Sequence, residues 1–196
     1  MEALNLIATL IAIGSAAVTA AIWGWHRRPT SWGRPTLIFV SMGGTCRDPI
    51  AKAITDNLLA QKKPRIVVKA AGILKGHTRG ASPAARNVVR ERLGIDALKG
   101  HRSKKLTGMM ISRANLILTM STDNKRQILK VNPECSNKVY TLKEFFGFRG
   151  EIKNPYIFDD QLSDGAIIRY RNCYDEIEKL LAKPGNIEKI YNAVRA

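Results

Sequence analysis

Ser41-Met42-Gly43-Gly44-Thr45-Cys46-Arg47 is a short glycine-bearing run that ends in a guanidinium. It follows an apolar run, Thr36–Val40, and precedes apolar residues at helical spacing from Pro49 to Ala60. A glycine-bearing turn from strand to helix presents backbone N–H groups and the positive helix end to an anion. An arginine at the end of such a turn adds a bidentate clamp for phosphate. The spacing therefore predicts a phosphate-binding loop made of Ser41, Met42, Gly43, Gly44, Thr45, Cys46 and Arg47. Chemistry at the bound phosphorus needs a nucleophile, and Ser41 and Cys46 are the two candidates in the loop.

The elements that must position this loop alternate. Thr36–Val40, Arg65–Ala70, Leu116–Met120 and Lys138–Leu142 read as strands, the first so continuously apolar that both its faces are buried. Helical spacing marks Pro49–Ala60, Ser82–Leu93, Ser121–Val131 and Ser163–Leu181. Ser82 is the expected N-cap of the second helix, with Pro83 at its first position and Gly94 as its stop. Strand–helix alternation predicts an α/β fold: an open four-stranded parallel sheet with helices on both faces, three-layered and Rossmann-like. Ligands of such sheets sit at the carboxyl ends of the strands, where the loop falls.

The chain divides into four parts. Residues 1–25 are read as a transmembrane anchor, 26–35 as a linker, 36–183 as the α/β domain and 184–196 as a tail with room for one turn or helix. Ala3 to Trp25 contains no charged residue and is long enough to cross a hydrocarbon core. Trp23 and Trp25 stand at its far end, followed by His26, Arg27, Arg28 and Arg34. That basic flank predicts a single span with the domain on the cytoplasmic side. A cleavable signal peptide is the competing reading, but it calls for a basic start and a shorter apolar stretch.

Net charge is +16, and every Lys and Arg lies after His26. Such a domain favours anionic partners: a phosphate or small anion, a phosphorylated protein, or an anionic leaflet. No aromatic platform or base-reading helix points to nucleic acid. Cys46, Cys135 and Cys173 have neither disulfide-framework nor zinc spacing, so no metal and no cofactor is expected.

The motifs taken in order resemble the low-molecular-weight protein tyrosine phosphatases and their arsenate-reductase relatives. The family pattern is a hydrophobic strand, Cys-x5-Arg-Ser-Pro and a helix; Val40–Ile54 match it in register. Ala70-Ala71-Gly72 with His77, Gly100-His101-Arg102-Ser103-Lys104-Lys105-Leu106, Ala114–Met120 and Asn154-Pro155-Tyr156 match further family segments, so the resemblance spans about residues 36–182. It implies a two-step reaction in which a thiolate attacks phosphorus, an aspartic acid protonates the leaving group, and water then hydrolyses the phosphocysteine. It also implies a supporting position for His77, near the loop but not in it.

The sequence departs from that pattern where the chemistry is done. Ser41 occupies the nucleophile position, and Asn154 occupies the general-acid position. Asp159 and Asp160 follow five and six residues on; they are read by default as surface carboxylates, and as substitute acids only if the loop bends back. Cys46, beside Arg47, is the possible substitute nucleophile. Asp48 replaces a family serine; as a carboxylate beside the anion it is expected to oppose phosphate, and as the residue before Pro49 it is expected to cap the helix. Gly44 replaces an asparagine held in a left-handed conformation, which glycine adopts freely.

The leading expectation is a membrane-tethered pseudophosphatase that binds a phosphate-type anion or phosphoprotein without efficient turnover. The alternatives are an active phosphomonoester phosphatase using Cys46 or Ser41, and a basic membrane-surface scaffold with a vestigial pocket.

Overall fold

The computed structural model describes residues 34–63, 65–74, 79–157 and 162–196. The anchor expected over residues 1–25, most of the linker, His77, Asp159 and Asp160 lie outside the described residues. Among the described residues no helix is long and apolar enough to cross a membrane.

Four parallel strands form one sheet: β1 (Thr36–Ser41), β2 (Val67–Gly72), β3 (Leu116–Thr119) and β4 (Val139–Thr141), in the order β2-β1-β3-β4. β1 and β3 are central and wholly buried. The side chains of β1 alternate between two cores, as the pleat requires. Leu37 and Phe39 join one, Ile38 and Val40 the other.

The first and larger core is closed by α1 (Arg47–Leu58), α2 (Pro83–Leu93), α6 (Asp164–Leu181) and α7 (Asn186–Arg195), which contribute Ile50, Val88, Tyr170, Ile177 and Ile190. The second is closed by α3 (Gly108–Arg113), α4 (Thr122–Val131) and the 3-10 turn Pro133–Lys138, through Ile111, Ile128 and Cys135. α5 (Leu142–Phe145) follows β4 directly. The sheet with helices on both faces is the architecture expected.

Local chemistry explains several boundaries. Ser82 accepts the Ala85 N–H, and Gly94 stops α2 at φ +69°. The tail, read as having room for one turn or helix, is the helix α7, with Ile190, Tyr191 and Val194 on one buried face. α3 and α5 were not foreseen; at six and four residues they are too short to show a period. α1 starts at Arg47, two residues before the expected Pro49. Its N-cap position is Cys46, which makes no side-chain cap bond.

Candidate functional site

The loop from Ser41 to Arg47 leaves the carboxyl end of central β1 and enters α1, so it is anchored at both ends. Its carbonyls are turned into the body of the protein. Ser41 O accepts the Ile73 N–H, Met42 O that of Leu74, Thr45 O that of Ser82 and Cys46 O that of Ile50. Gly44 O lies 2.8 Å from His101 Nε2. With the carbonyls so engaged, the N–H groups of Met42, Gly43, Thr45, Cys46 and Arg47 donate to no protein acceptor among the described residues. They are the donors an anion requires.

Two glycines set the loop's height above the sheet. Gly44 has φ +71°, the left-handed conformation expected of it. A Cβ on Gly72, at the end of neighbouring β2, would lie 2.7 Å from Gly43 C and 2.8 Å from Gly44 N. Only a residue without a side chain lets the loop sit down on β2 here. Gly72 also fixes the opposite rim: its N–H donates to Lys104 O and its carbonyl accepts the Leu106 N–H.

Arg47 is buried, and its Nη1 donates to Ile152 O over 3.0 Å. Its Nε is buried with no partner among the described residues, a donor left over for a ligand. The Ile152 contact draws the following residues to the loop, and Arg169 Nε, from α6, holds Pro155 O. Asn154 thereby reaches the same cavity as the loop. That cavity, about 530 Å³, is lined by Ser41, Met42, Gly43, Thr45, Cys46, Arg47 and Asn154, with Arg79, Lys104 and Lys105 on its basic rim and Leu74 and Tyr156 as apolar walls.

The expected nucleophile and acid positions are thus brought to one cleft, and the two nucleophile candidates differ sharply. Cys46 lends its backbone to the loop, but its thiol belongs to the larger core and lies 3.0 Å from Tyr170 Oη. Ser41 keeps its hydroxyl at the loop, where Oγ accepts the Gly44 N–H at 3.3 Å.

Asp48 corrects both expectations placed on it. It does not cap α1. It is fully buried behind Ser41, outside the cavity lining, and its Oδ1 accepts the Ser41 hydroxyl over 2.6 Å. Burial pushes its carboxyl from the ordinary 3.8 up to about 7, against the lowering effects of the Ser41 hydroxyl and the Arg47 charge. A carboxyl that is half protonated near neutrality opposes a bound phosphate far less than a fixed carboxylate. Its second oxygen, Oδ2, is buried without a partner.

Residues 36–188 match the family profile described as low molecular weight phosphotyrosine protein phosphatase. The chain belongs to this family. Relatives of the phosphatase-family chain include a protein-arginine-phosphatase of Geobacillus stearothermophilus, 36% identical over 146 residues that span 74% of this chain and 90% of the relative. A probable low molecular weight protein-tyrosine-phosphatase, EpsP of Ralstonia solanacearum, is 37% identical over 135 residues, 65% of this chain and 86% of the relative. Among solved structures, the YwlE arginine phosphatase in a Cys-to-Ser mutant with phosphorylated active site serine superposes with a TM-score of 0.67 at 29% identity. That match covers 80% of this chain and 94% of the other.

Three features of the phosphatase-family site went unread in the sequence. His101 supports the loop from 57 positions away. The basic rim of Lys104 and Lys105 was visible as the charge run Arg102–Lys105, but its placement depends on the Gly72 clip. The Ser41–Asp48 pair is hidden in the sequence because only the fold brings residues seven positions apart to 2.6 Å.

Proposed function

We propose that this phosphatase-family protein binds a phosphorylated side chain of another protein in the Ser41–Arg47 loop and does not run the two-step hydrolysis implied by the family resemblance. The observation that carries this reading is the pairing of an intact anion cradle with replaced chemical groups. The loop donors and Arg47 Nε are free for phosphate, while Ser41 and Asn154 line the same cavity where a thiolate and a carboxylic acid are needed. Serine alkoxide is a poorer leaving group from phosphorus than cysteine thiolate, and an asparagine amide cannot hand over or take up a proton at neutral pH. The basic rim of Arg79, Lys104 and Lys105 favours acidic surroundings of the phosphoryl group.

The N-terminal run Ala3–Trp25 is proposed to hold this domain at the cytoplasmic face of a membrane. Isothermal titration of the full chain in detergent with phosphoarginine and phosphotyrosine peptides tests the binding. Binding that is lost in Arg47→Ala is expected; heat identical to that of unphosphorylated peptides refutes the reading. Recovery of the chain in the alkaline-washed membrane fraction tests the anchor, and recovery in the soluble fraction removes it.

A further inference from the structure

The Ser41–Asp48 pair is an arrangement the pseudophosphatase reading does not use. Ser41 Oγ sits between two environments. On one side lie the cavity and the loop donors; on the other lies a fully buried carboxylate that accepts its hydrogen over 2.6 Å. Among the described residues Asp48 has no other side-chain partner for Oδ1, and Oδ2 has no hydrogen-bond partner. Arg47, the neighbouring cation, spends its Nη1 on Ile152 and not on Asp48. A buried, unpaired carboxylate held on a hydroxyl at the mouth of an anion cradle has the geometry of a base on a nucleophile.

We infer that Ser41 is a phosphoryl acceptor: with Asp48 as its base, it takes the phosphoryl group of a phosphorylated arginine side chain held in the loop and retains it as phosphoserine. The inference rests on the reading that the loop binds a phosphorylated side chain. The free alkoxide is not required, because the hydroxyl proton moves to Asp48 as the Oγ–P bond forms. A base that titrates near neutral pH suits this task, and burial brings Asp48 there.

In the step, the Ser41 Oγ–P bond forms while the P–N bond breaks, and the electron pair of that bond goes to the guanidine nitrogen. The hydroxyl proton passes to Asp48 and on to solvent; the departing nitrogen takes one proton from water in the open cleft. Ser41 therefore exchanges a hydrogen for a phosphoryl group, the arginine gains a hydrogen, and no further reactant enters. The donors of the loop and Arg47 hold the three outer oxygens throughout.

Two observations favour nitrogen over a phenol as the leaving atom. Among the described residues no carboxylic acid lines the cavity, where Asn154 stands, and a basic guanidine nitrogen draws its proton from water more readily than a phenolate. The arginine phosphatases are also among the chain's relatives, at 36% and 30% identity. In YwlE, an active site serine in place of cysteine is found phosphorylated. Here serine is the residue present, with a carboxylate behind it. The product persists because hydrolysis requires an activated water on the cavity side. Among the described residues none on the cavity side is a carboxylate base: Asp48 is on the far side of Ser41 and out of the cavity, and Asn154 is no base.

The test incubates the full chain in detergent with a phosphoarginine peptide and reads intact mass and the modified residue by mass spectrometry. The expected result is one phosphoryl group per chain on Ser41, none in Ser41→Ala, and labelling at least about a hundredfold slower in Asp48→Asn. A cooperative urea transition followed by circular dichroism in both variants separates loss of transfer from loss of the fold. Absence of the adduct while the peptide still binds overturns the inference and leaves the binding proposal standing. Absence of both removes both. Labelling as fast in Asp48→Asn overturns the base assignment, and equal labelling by a phosphotyrosine peptide overturns arginine as the donor.

Discussion

Replacing Asp48 by asparagine keeps the side chain's shape and its acceptor for the Ser41 hydroxyl while abolishing its titration. Burial raises this carboxyl from 3.8 to about 7. The folded state therefore holds a proton that the unfolded chain has already released between those two values. Stability from this proton is fully present below pH 3.8 and is lost as pH rises through about 7. At 1.36 kcal/mol per pH unit, the loss reaches a ceiling of about 4 kcal/mol on the alkaline side. Asparagine carries no such cost. The variant's margin over the native protein is expected to be smallest near about pH 4, to grow up to about pH 7 and to stay level above it. With a urea dependence of about 2 kcal/mol per M, the ceiling corresponds to a midpoint about 2 M higher. Urea unfolding followed by far-UV circular dichroism at three or four pH values measures it directly. If the midpoints of the two proteins differ by the same amount at every pH, Asp48 is not the buried, unpaired group described, and its role as a base falls with it. Phosphoryl transfer is expected to rise as pH passes about 7, where Asp48 ionises in the folded protein and the loss of stability levels off.

Gly72→Ala forces a Cβ within 2.7 Å of Gly43 C. A cost of about 1–3 kcal/mol in thermal or urea unfolding and a weakened affinity for phosphorylated peptide are expected, since the loop must lift from β2. His101→Ala removes the partner of Gly44 O; a loss of about 1 kcal/mol in stability, with phosphopeptide affinity falling more than in a surface Lys99→Ala control, is the expected result of titration. Cys46→Ala should leave phosphoserine formation at Ser41 intact by mass spectrometry, because the thiol faces Tyr170 and the core.

Much of this site was legible because its parts are local. The apolar run Thr36–Val40, the glycines and Arg47 lie within twelve residues, and such a turn has few ways to fold. The left-handed Gly44 and the Ser82 cap were equally readable, each being a conformation tied to a residue type. What escaped depends on packing. Whether the Cys46 thiol or the Ser41 hydroxyl faces the cavity is decided by the backbone at the start of α1, where Cys46 has φ −124° and ψ −88°. Asp48 looked like a cap in sequence; only burial and a partner seven positions back reveal its bond to Ser41. His101 reaches Gly44 through the fold alone. α5 does carry a sequence signal: Thr141 and Glu144 form a capping box, the T-x-x-E pattern of a helix start.

The most direct test of the account is p-nitrophenyl phosphate hydrolysis by the native full chain beside a Ser41→Cys/Asp48→Ser/Asn154→Asp variant, which restores the family pattern at all three positions. An intact cradle with altered chemistry predicts steady turnover by the variant and none beyond a single phosphoryl transfer by the native chain. Continuous turnover by the native chain, or silence from both, would contradict it.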